Sequence, residues 1–62
     1  MKKYTEYEKN VMKWVRRGLI TKEDAIERIT GYLRAMVDFE QLPQDRFSSE
    51  LEIAVKNILE IK

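Results

Sequence analysis

Apolar residues recur along this chain at three- and four-residue intervals in three separate stretches, with charged residues filling the positions between. That spacing gathers the apolar side chains on one face of a helix. In the first stretch Tyr7, Val11, Trp14 and Val15 share a face, with Tyr4 just ahead of it. Thr5-Glu6-Tyr7-Glu8 has the form of a capping box: Thr5 accepts from an early backbone N–H, and Glu8 reaches back to the N–H of Thr5. Arg16 and Arg17 suit the negative end of the helix dipole, and Gly18 suits the left-handed position that closes a helix. A helix over 5–17 is predicted.

Leu19-Ile20-Thr21 then reads as a tight link, and Thr21-Lys22-Glu23-Asp24 as a second box with acids in the first turn. Ile20 is placed to staple onto Ala25. Ile26, Ile29, Leu33, Met36 and Val37 form the stripe of a second helix over 21–38. Phe39 to Phe47 is irregular, and Pro43 holds Leu42 extended. Because it carries Phe39, Leu42 and Phe47, this stretch is expected to pack down on the core. A third helix follows with Leu51, Ala54, Val55, Ile58 and Ile61 on one side. It runs from 44 or 48 to 61: Ser48 or Ser49 suits the cap, but Pro43 suits a first helical position and Phe47 lies four before Leu51. The expectation is an all-α, three-helix domain over 1–62, an antiparallel helical hairpin plus a third packing helix. Opening of the 39–47 link would allow a domain-swapped dimer.

Size changes the picture. A chain of 62 residues buries only about 60% of the surface it exposes unfolded. Burial at ~25 cal/mol per Å² and ordering at ~1.5 kcal/mol per residue then nearly cancel. With no cysteine and no histidine, disulfides and the common zinc sites are excluded as extra support. A second protein chain is the expected source, which favours a homodimer. Met1-Lys2-Lys3 is followed by polar residues rather than an apolar run, and no stretch approaches the ~18 apolar residues of a membrane span. The expected location is the cytoplasm. The net charge of +1 conceals an asymmetry: residues 1–35 hold nine Lys/Arg against five Asp/Glu, and residues 36–62 hold three against six.

No enzyme and no cofactor are expected. Without His or Cys the common nucleophile–base arrangements cannot be built. Ser48 and Ser49, at a predicted helix start, read as caps. Glu23 and Glu27 stand one turn apart but without a matching acidic helix, so they read as a solvated face rather than a metal site. Gly18 and Gly31 are too far apart for a phosphate-cradling loop.

Two surfaces stand out. Lys9, Lys13, Arg16 and Arg17 fall opposite the Val11 stripe, where like charges four apart repel by a few tenths of a kcal/mol each. A solvated face explains such a run, and so does a phosphate or an acidic partner. A DNA-reading helix-turn-helix does not fit, because its second helix would present Lys22, Glu23, Asp24 and Glu27, mostly acids, to a polyanion. The second surface is Gly31 with Ala35, away from the core stripe of the second helix. Glycine there costs ~1 kcal/mol against alanine, which a close helix–helix contact would offset; a tolerated glycine or a kink is the plainer reading. Met12 and Ile53 also lie off their stripes, and Gly31, Ala35 and Ile53 form the candidate self-association face. Trp14, Tyr4 and Tyr7 align with Val11 and read as core rather than as a membrane-surface helix.

The seven residues Gly18-Leu19-Ile20-Thr21-Lys22-Glu23-Asp24 resemble the helix start of short bacterial oligomerisation modules of the SHOCT type, and that of some small phage tail-associated proteins. The Lys/Glu/Ile-rich texture is similar in style to small regulators encoded by phages and mobile elements of low-GC bacteria. No site residue is carried over. The leading expectation is a non-enzymatic helical regulator or adaptor that docks on another protein, such as a host transcriptional repressor. The alternatives are a nucleic-acid accessory protein using the basic first helix, and a structural subunit of a phage or other assembly.

Overall fold

A computed structural model describes residues 6–61. α1 spans Glu6–Arg16, α2 Lys22–Asp38 and α3 Phe47–Leu59, and a 3-10 turn over Gln44–Arg46 leads directly into α3. There is no strand among the described residues. Thr5 and Tyr4 lie outside them, and the predicted first capping box with them.

The helix ends follow from local hydrogen bonding. At the end of α1, Gly18 N–H donates to the Val15 carbonyl at 3.0 Å and Leu19 N–H to the Trp14 carbonyl at 2.9 Å. This is a Schellman motif, and Gly18 takes its left-handed position with φ 74°. α2 starts at Thr21, whose hydroxyl oxygen accepts from the Asp24 N–H at 3.0 Å. α2 ends in a second Schellman pair, Glu40 N–H to Val37 at 3.0 Å and Gln41 N–H to Met36 at 2.8 Å. Here the left-handed residue, at φ 60°, is Glu40. Its Cβ crowds the following carbonyl, at a cost of roughly 1 kcal/mol or more.

Val11, Ala25, Ile29, Leu33, Ala54 and Ile58 form one buried cluster to which all three helices contribute. α2 supplies half of it and packs on both neighbours. Tyr7 rests on Tyr32 with ring centroids 4.8 Å apart, and the Arg28 guanidinium lies 5.9 Å from the Trp14 ring centre, so α1 runs antiparallel to α2. The Arg34 guanidinium covers the Phe47 ring at 4.9 Å, and Lys22 Nζ donates to the Leu59 carbonyl at 3.1 Å, so α3 also runs antiparallel to α2. The Lys22 ammonium therefore caps the negative end of α3. The described residues form a hairpin with a third packing helix, 32 × 19 × 18 Å. Ile20 packs against the cluster that contains Ala25, as a staple requires.

Several details depart from the expectations. Leu42 and Phe47 pack on the core, but Phe39 is 77% exposed. Tyr7, near the start of the described part of α1, sits against Tyr32, roughly 10 Å along α2 before Phe39. No described residue of α1 reaches that level. Ser48 and Ser49 lie inside α3 and are exposed, so neither caps it. The preceding 3-10 turn already engages the local amides: Arg46 N–H donates to Pro43 and Phe47 N–H to Gln44. Pro43 precedes that turn rather than opening α3. Met12, read as off the stripe, is half-buried against the core. Glu8 and Glu50 are buried among the apolar rows.

Candidate functional site

The basic face predicted for the first helix is present. Lys9, Lys13 and Arg16 are exposed on α1, and Arg17 is exposed in the turn that follows it. None of these four side chains has an acid within ion-pair distance among the described residues. Elsewhere acids do meet bases: Asp24 accepts from Arg28 Nε at 3.3 Å, and Arg46 lies 3.7 Å from Glu50. Arg16 also borders a groove of about 510 Å³ between α1 and the end of α3, with Met12, Asn57, Glu60 and Ile61.

Gly31 and Ala35 are both exposed on α2, on the side away from Ile29 and Leu33. A Cβ built on Gly31 meets no heavy atom within 4 Å. Nothing among the described residues requires glycine there. Ile53, grouped with them by sequence, lies on α3 and is 44% exposed. Glu23 and Glu27 are exposed on α2, and no group of three or more acidic residues among the described residues is placed to hold a metal ion. No described helix is long and apolar enough to cross a membrane.

One surface was missed. Besides its core row of Ala54 and Ile58, α3 carries a second apolar row, Leu51, Val55 and Leu59. Leu51 and Val55 are half-buried and Leu59 is 57% exposed. With Ser48, Glu52, Lys56 and Glu60 they line a shallow apolar groove of about 740 Å³ along the helix. The sequence contains the signal: Leu59 falls four residues after Val55 and eight after Leu51. Leu51 packs against the core cluster as the stripe predicts, and Leu59 continues its row outward to an exposed position.

Comparison of the chain with protein families, with curated proteins and with solved structures finds no match in any of the three.

Proposed function

We propose that this chain is a small non-enzymatic helical adaptor or regulator that docks on the acidic surface of another protein through the basic face of α1. The observation that carries this reading is the set of four exposed cations, Lys9, Lys13, Arg16 and Arg17, none of which has an acid within ion-pair distance among the described residues. Maintaining like charges four residues apart lowers the stability of an isolated helix slightly. A complementary acidic partner turns that repulsion into attraction and speeds encounter.

The test is a pull-down with the tagged chain from nuclease-treated lysate of cells that make it, run beside a Lys13→Glu, Arg17→Glu double variant. A stoichiometric protein retained by the wild-type chain and lost by the variant supports the adaptor reading. Loss of all binding on nuclease treatment alone removes it in favour of nucleic acid. That second reading draws on the same four residues and predicts affinity falling by nearly one power of salt concentration per phosphate contact.

A further inference from the structure

Taking the docking on α1 as given, we infer that the groove between α1 and the end of α3 receives an apolar side chain of the same partner protein. The segment that supplies it carries an acid on one side of that side chain and a base on the other.

The groove adjoins the basic face and shares a residue with it. At about 3.6 residues per turn, Arg16 lies between Met12 and Lys13 around α1, so the edge of the cationic face is also a wall of the groove. The floor is apolar: Met12 is half-buried and Ile61 is buried, and both line the space of about 510 Å³. A methionine thioether is flexible and adapts to the shape of an inserted side chain. A partner lying along Lys9, Lys13 and Arg16 passes this opening. An apolar side chain entering there sheds water against Met12, which favours binding.

Charge decides what flanks that side chain. Arg16 borders the groove from α1, and Glu60 borders it from the residue that caps α3. Both are exposed, and neither has an opposite charge within ion-pair distance among the described residues, each other included. A segment of a single sign gains at one of these residues and is repelled at the other, and such like-charge contacts select against wrong partners. A segment with a carboxylate toward Arg16 and an ammonium or guanidinium toward Glu60 satisfies both. Exposed pairs of this kind contribute little singly. The two charges therefore set which segment docks and in which register, while the apolar side chain supplies the binding.

NMR titration of the isotope-labelled full chain with three short blocked peptides is the test. The first peptide has glutamates, a central leucine and then lysines. The second replaces the leucine by alanine, and the third replaces the lysines by glutamates. The first should shift the Met12 and Ile61 methyl signals. The second should bind about tenfold more weakly, and the third about threefold more weakly. Glu60→Lys should reverse the preference between the first and third peptides; a lysine at the end of a helix suits the dipole, so the fold is kept. Equal binding of the leucine and alanine peptides, with shifts confined to Lys9, Lys13 and Arg17, overturns the groove and leaves the adaptor reading standing. An unchanged preference in Glu60→Lys, or Met12 and Ile61 signals that no peptide moves, overturns it too. Shifts of those two methyl groups on concentrating the chain alone overturn it in favour of a second copy. The Lys13→Glu, Arg17→Glu pull-down alters no residue that lines the groove, so the two readings fail separately.

Discussion

Single residues decide how each helix stops, and two equivalent stops carry different residues. Gly18 and Glu40 occupy the same position of the same hydrogen-bonded motif, at φ 74° and 60°. Glycine has no Cβ to clash there, and glutamate does. Replacing Glu40 by glycine should therefore raise the unfolding free energy by about 1 kcal/mol, read from the midpoint of a urea titration with an unchanged slope. The reverse holds at Gly31, which is helical and has open space beside it. Gly31→Ala should stabilise the monomer by about 1 kcal/mol; a loss of stability in the same titration would mean that a neighbour occupies that space. Gly18 and Thr21 were legible in the sequence because each residue type matches its backbone task. Glu40 was not, because a glutamate gives no sign that it will be forced left-handed. The burial of Glu8 and Glu50 was equally hidden, since carboxylates read as surface until their position in the packed row is known.

At the scale of elements, the three-residue and four-residue rhythm was enough to place all three helices, and their observed limits fall close to those expected. The rhythm could not separate two apolar rows on one helix. Leu51 faces the core close beside Ile58, whereas Val55 and Leu59 drift progressively away from it along the same four-residue row. The start of α3 was ambiguous for a similar reason: Ser48 and Ser49 have the chemistry of caps, but the 3-10 turn after Pro43 had already engaged the amides nearby. Ser48→Ala should consequently change stability by less than about 0.5 kcal/mol, whereas Thr21→Ala, which removes an observed cap, should cost about 1 kcal/mol. Thermal unfolding of the two variants side by side separates these roles. Ile29 is 1% exposed in the middle of the cluster. Ile29→Ala should cost about 2–5 kcal/mol, enough to unfold much of a domain this small, seen as lost helicity at room temperature.

For the whole molecule, the split charge and the surplus apolar surface fall on different helices. Lys9, Lys13, Arg16 and Arg17 are on and just after α1, and the exposed apolar Ile53 and Leu59 are on α3. The exposed Phe39 belongs to this scale as well. Its hydrophobicity predicted burial, yet no described residue of α1 reaches its level along α2.

The bond from Lys22 Nζ to the Leu59 carbonyl joins the first turn of α2 to the last turn of α3, 37 residues apart. Lys22 is half-buried, so acylating reagents reach its amine less readily than those of Lys9, Lys13 and Lys56, which are exposed. Lys22 thus turns the chain into its own footprint assay: the extent of its labelling, set against that of Lys9 within the same molecule, reports how often the end of α3 lifts away.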